Sequence, residues 1–98
     1  YNQKNALFSM LILGGVACLA ANGGKLIDAA KFFGTADKLF ESIGKLVSKD
    51  DADDYRRRFV EVQASLDIED FNTAWIEGRY MPVENAMKSA MEHVSGDN

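Results

Sequence analysis

The chain reads as an all-α protein of five helices, an antiparallel hairpin followed by a three-helix closing unit. Three observations predict this. Apolar residues recur at spacings of three and four along most of the chain, and no stretch alternates with period two beside turn dipeptides. The breaks between the periodic segments carry helix stop and start residues: Asn22-Gly23-Gly24, Gly44, Ser48, Asp67, Gly78 and Pro82. One proline and eight glycines in 98 residues fit helices with few loops.

The first helix is expected over about Asn5 to Ala21, ending at Asn22-Gly23-Gly24, where glycine makes a positive φ inexpensive. A second, about Leu26 to Ser42, follows almost without a loop, so the two must run antiparallel. Its residues Leu26, Ala29, Ala30, Phe33, Ala36, Leu39, Phe40 and Ile43 form one stripe. Gly44 ends it and Lys45 to Val47 bridge. Ser48, three residues before Asp51, forms the short-acid variant of a capping box, and Asp50 to Asp54 put negative charge at a helix start. This third helix should reach Leu66 with Tyr55, Phe59, Val62 and Leu66 inward. Asp67 caps a fourth over about Ile68 to Glu77, stopped by Gly78 and presenting Ile68, Phe71, Ala74 and Trp75 to the core. Pro82 opens the last, whose stripe is Val83, Ala86, Met87, Ala90, Met91 and Val94. Residues 1–98 thus make a single domain, a hairpin over 1–44 and closing helices over 48–94, with a frayed end from Ser95 to Asn98.

Composition narrows the function classes. Hydrophobic residues at 47% and charged ones at 27% describe a globule rather than a disordered tail. Acidic residues outnumber basic ones by 15 to 11, giving a net charge of -4, which disfavours direct binding to nucleic acid or to an acidic membrane surface. Cys18 is the lone cysteine, so it forms no internal disulfide and no metal site, and it fits a reducing, cytoplasmic compartment. The chain opens at Tyr1 rather than Met, as expected of a piece of a longer protein, with room for further repeats upstream, or of a processed form. Ala6 to Ala21 carries no charge over sixteen residues, short of the about twenty that a membrane span needs. Gly15-Val16-Ala17-Cys18 resembles a lipid-attachment box, with Gly where Leu is usual. A buried helix is the leading reading. The alternative is a secreted or lipid-anchored small helical protein whose residues 4–21 are a signal or anchor segment.

Leu13, Val16, Ala17, Ala20, Gly24, Ala29, Phe33 and Ala36 fall at the spacings of one tetratricopeptide repeat. Two antiparallel helices approach closely only where small residues face each other, the role expected of Ala17 and Ala29, with Phe33 as the wedge. Leu13 stands where the repeat usually has a large aromatic and Ala20 where it has tyrosine. The stretch A-A-K-F-F-G-T-A-D-K-L-F-E-S-I-G at Ala29 to Gly44, the charged helix with Tyr55, F-N-T-A-W-I-E-G-R at Phe71 to Arg79, and Val83-Glu84-Asn85-Ala86 together resemble a known tail. It is the C-terminal tail of bacterial multidomain signal-transduction ATPases, the LuxR-type and AfsR-like transcriptional regulators. The resemblance covers about residues 7 to 94, with Pro82 replacing the small polar cap usual at its corner. It implies a terminal helical-repeat segment that receives a signal by binding an inducer or a partner protein, with ATPase and output domains elsewhere. It carries over no catalytic residue and no cofactor.

Each residue with chemical promise has a structural reading beside it. Trp75, in register with Phe71 and Gly78, is expected as the plug joining the fourth and fifth helices rather than a ligand anchor. Asp50, Asp51, Asp53 and Asp54 lack the loop glycine and distal glutamate of a calcium loop. Of Arg56, Arg57 and Arg58, Arg57 should pair locally with Asp53 or Asp54. Lys25 after Gly23-Gly24 lacks the remainder of a phosphate loop, and His93 is expected to be exposed without a second ligand. Cys18 is expected as a core thiol. No acid-base pair or nucleophile constellation points to an enzyme, and none points to a metal or cofactor. The expected function is a non-catalytic protein-interaction or signal-sensing module at the end of a helical-repeat array. Its uncovered face would be Leu7, Met10, Leu11 and Cys18 on the first helix, paired with upstream repeats, a protein partner or a second copy in a homodimer.

Overall fold

The computed structural model describes residues 3 to 95. Five α-helices follow one another: α1 (Gln3–Asn22), α2 (Leu26–Ile43), α3 (Lys49–Ser65), α4 (Ile68–Tyr80) and α5 (Val83–Ser95). A 3-10 turn over Gly44–Leu46 links α2 to α3, and no strand occurs among the described residues. The all-α fold expected from the periodicity is the fold observed. The expected fraying from Ser95 onward lies, beyond Ser95 itself, outside the described residues.

The chain breaks form by local chemistry. Gly24 adopts φ +83°, and the Lys25 and Gly24 amides donate to Ala20 O and Ala21 O at 2.8 and 3.0 Å, the paired bonds that close a helix through a left-handed residue. The Asp51 amide donates to Ser48 Oγ at 3.1 Å, and the Glu69 amide to Asp67 Oδ2 at 3.2 Å, so both expected N-caps are formed. The Pro82 carbonyl accepts the Ala86 amide at 3.1 Å as α5 begins.

α2 is the central element, packed against each of the other four helices. Against α1 the contact is made of small residues: Ala17, Ala20, Ala29, Ala30 and Ala36 are all fully buried. On its other side α2 meets α4 through glycines. A Cβ on Gly34 would sit 2.1 Å from the Trp75 carbonyl oxygen, and one on Gly78 would sit 2.0 Å from the Lys31 carbonyl oxygen. Thr35 Oγ1 donates to Gly78 O at 2.6 Å and Lys38 Nζ to Met81 O at 3.0 Å, so α2 side chains satisfy carbonyls at the end of α4. Between these layers run the aromatics: Phe33 meets Tyr55 and Phe59 edge-on at 5.5 and 5.6 Å, and Phe59 meets Phe71 at 5.5 Å.

Four expectations are corrected. Gly78 does not stop α4, which runs on to Tyr80; a glycine is needed there because the backbone of α2 occupies the space a side chain would take. Ile68, expected inward, is exposed, because the first turn of α4 projects beyond the part that crosses α2. Met91 and Val94 are likewise exposed at the far end of α5, whose covered residues are Ala86 and Ala90. His93, expected exposed, is half-buried with its ring 6.3 Å from Phe32.

Candidate interaction surface

α1 is apolar almost all round, so its packing rather than its periodicity decides which residues face out. The fold covers the side carrying Met10, Leu13, Ala17 and Ala20. On the opposite side, at the three-four spacing of one helix face, lie Phe8, Leu11, Ile12, Gly15, Leu19 and Asn22. Phe8 is 69% exposed, Leu19 56% and Leu11 41%. Gly15 has nothing within 4 Å of where a Cβ would stand. From Asn5 to Asn22 the helix carries no charge, so this face presents a strip of apolar surface without a charged residue within it. Isolated exposed apolar residues are ordinary, but a contiguous row of large ones marks a contact surface.

The structure sorts the four residues expected on this face. Leu11 is exposed, while Leu7 and Cys18 are half-buried at its edge. Met10 is a correction: its side chain is fully buried in the core, on the side of α1 that meets the other helices. Phe8, Ile12 and Leu19 were not among the expected residues. The signal that could have found them is geometric, since they lie about half a turn from Ala17 and Ala20, whose small size already marked the inward side.

α3 lies alongside and supplies a charged border. Tyr55 rests on α1 at Gly14, where a Cβ would come within 3.4 Å of its ring. Arg58 pairs with Asp54 at 3.1 Å and Arg57 pairs with the same carboxylate, as the expected local ion pairing requires, and Lys49 pairs with Asp53 at 2.9 Å. A shallow groove of about 160 Å³ beside α3 is lined by Cys18 and Ala21 of α1 and Leu26 of α2 on one side and by Arg58, Glu61 and Val62 of α3 on the other. An apolar centre with a polar border is the usual anatomy of a protein contact surface.

One carboxylate holds the supporting helices in register. Asp37 of α2 accepts from the Tyr55 hydroxyl at 2.6 Å and from Trp75 Nε1 at 2.9 Å, tying α3 and α4 to the same point. Burial first, and the Asp37 charge second, hold the Tyr55 phenol far above its ordinary range, so it remains a donor. Trp75 is half-buried with its indole nitrogen bonded to Asp37, so it is no free anchor, but it seats α4 against α2 rather than joining α4 to α5 as expected. Arg79 lies over the Trp75 ring at 5.0 Å and forks onto Glu41 at 2.8 and 2.9 Å. That bidentate hydrogen bond holds the Glu41 carboxyl below its ordinary value and the Arg79 guanidinium above its own.

Among the described residues no group of three or more His, Cys, Asp or Glu is placed to hold a metal ion. No protein-family model, curated protein or solved structure matches the chain.

Proposed function

We propose that the chain is a non-catalytic protein-interaction or signal-sensing module, the terminal segment of a helical-repeat array in a bacterial regulator of the LuxR-type or AfsR-like kind. The observation that carries this reading is the outer face of α1, where Phe8, Leu11 and Leu19 stand exposed on a helix uncharged from Asn5 to Asn22. A preceding helical repeat would cover such a face, as stacked repeats bury one another's apolar sides. The antiparallel α1–α2 pair with its alanine contact suits the tetratricopeptide reading, and α3 to α5 close its other side.

With no repeat stacked on it, the chain is expected to associate through this face as a symmetric dimer. Sedimentation equilibrium tests that. A dimer that dissociates in the Phe8→Glu/Leu19→Glu double variant, with helical circular dichroism kept, supports the reading. A strictly monomeric species at high concentration sinks the self-association, and a dimer indifferent to the double variant removes the α1 face from it.

A second reading rests on the same helix. Asn5–Asn22 has a mean hydropathy of 1.6, enough by length and composition to cross a membrane, and lies near the N-terminus. It would make the chain a secreted or lipid-anchored protein with residues 4–21 as signal or anchor. What weighs for the module is that 44% of that segment is buried inside the fold, where Met10, Leu13 and Ala17 form part of the core. Mass spectrometry of the protein expressed from its full gene separates the two, since lipid on Cys18 or loss of the first segment appears directly in the mass.

A further inference from the structure

A cleft of about 370 Å³ opens between the first turns of α2 and the last turns of α5, and its lining has a different chemistry from the α1 face. Asp28, Lys31 and Phe32 come from α2, Met81 from the α4–α5 corner, and Glu92 and His93 from α5. Its size lies within the roughly 300–1,000 Å³ of small-molecule sites. The floor is apolar, made by the buried Phe32 with the His93 ring edge-on to it at 6.3 Å and by the half-buried Met81.

The charges in the cleft do not cancel. Lys31 is offset by Glu77 at 3.6 Å, outside the lining. Among the described residues Asp28 and Glu92 form neither an ion pair nor a hydrogen bond. Asp28 sits in the first turn of α2, where the helix favours its negative charge. Glu92 sits in the last turn of α5, where its own helix disfavours it, and Lys88 four residues earlier does not pair with it. Two unpaired carboxylates over an aromatic floor suit a cation that carries an apolar body. The residues do not assemble a metal site, since no three candidate ligands come together.

We propose that this cleft binds a small organic cation, its ammonium or amidinium group held between Asp28 and Glu92 and its aromatic or aliphatic body covering Phe32 and Met81. The site goes beyond the interaction-module reading and does not depend on it, because it uses no residue of α1. A ligand carboxylate is repelled there, and a neutral ligand of the same shape loses the charge contribution.

The test is an amide chemical-shift titration of the full chain with 2-phenylethylamine, against 2-phenylethanol as the uncharged match. The amine is expected to saturate and to move the amides around Asp28 to Phe32, Met81 and Ser89 to His93. It should bind about fivefold or more tightly than the alcohol, and about tenfold more weakly to Asp28→Asn/Glu92→Gln, each exposed carboxylate supplying about three- to fivefold. Both substitutions are at exposed positions, and the amine-to-alcohol ratio on the unaltered protein stands even if the double variant fails to fold. Equal binding of amine and alcohol, shifts centred elsewhere, no saturation, or unchanged affinity in a folded double variant would each overturn the site. The Phe8→Glu/Leu19→Glu variant should bind the amine normally, so the α1 face and the cleft fail or stand separately.

Discussion

Gly34 of α2 and Gly78 of α4 mark a crossing where the two helices touch backbone to backbone, the main chain of each helix occupying the space that a side chain on the other's glycine would need. The Trp75 and Lys31 carbonyl oxygens stand about 2 Å from the missing Cβ atoms, 2.1 and 2.0 Å respectively, and neither can rotate away as a side chain could. Replacing glycine by alanine inside a helix ordinarily gains about 1 kcal/mol. Here the sign reverses, and Gly34→Ala and Gly78→Ala are each expected to destabilise by about 3 kcal/mol or more in urea denaturation. Gly15 on the open face of α1 is the internal control: Gly15→Ala should stabilise by up to about 1 kcal/mol, since nothing lies near its Cβ position. A Gly78→Ala protein as stable as the parent would disprove the close crossing.

Trp75 carries two separable contributions. Trp75→Phe keeps most of the ring and loses the bond to Asp37, and about 1–2 kcal/mol is expected from the unmet carboxylate oxygen. Trp75→Ala also opens a cavity beside α2, and about 3 kcal/mol or more is expected. Equal losses for the two variants in thermal unfolding would show that the indole packs without consequence.

Tyr55 sets an alkaline limit. Its phenol titrates well above the unfolded value of 10.0, so the folded state binds the proton when the unfolded chain has released it. The stability this confers is fully present below pH 10 and declines as pH rises above it. Tyr55→Phe should flatten the fall in denaturation midpoint above that pH, and a slope unchanged by the substitution would assign the alkaline loss elsewhere.

Glu41 works in the other direction. With Arg79 holding its carboxyl below the ordinary 4.5, the pair's stabilisation is present above that pH and is lost as pH falls through the lower folded value. The pair lies on the surface, so the effect should be small and should shrink in high salt. Glu41→Gln should remove that part of the acid slope, which denaturation midpoints between neutral and acid pH will read.

The helix starts at Lys49 and Ile68 were legible in the residues because capping is local: Ser48 and Asp67 need only an amide two or three positions on. The same holds for the turn at Gly24. Gly78 misled because a glycine signals either a helix end or a close approach, and only Lys31, far off in the chain, distinguishes them. The face of α1 was half legible. A helix apolar on every side has no periodic contrast to orient it, so Leu7, Met10, Leu11 and Cys18 mixed the inward and outward sides. Asp37 gave no sign of its role, because its two donors come from helices whose placement only the folded chain supplies.

The central place of α2 has a consequence for how the molecule breathes. Every other helix leans on it, so its amides cannot reach solvent without the whole structure coming apart, whereas α5 leans chiefly on α1 and α2. In hydrogen exchange the middle of α2 should report the global unfolding free energy, and α5 should exchange earlier, through its own partial detachment. The wall of the cleft that carries Glu92 and His93 therefore belongs to a part of the fold that opens before its centre, and a bound cation would be felt as slower exchange there.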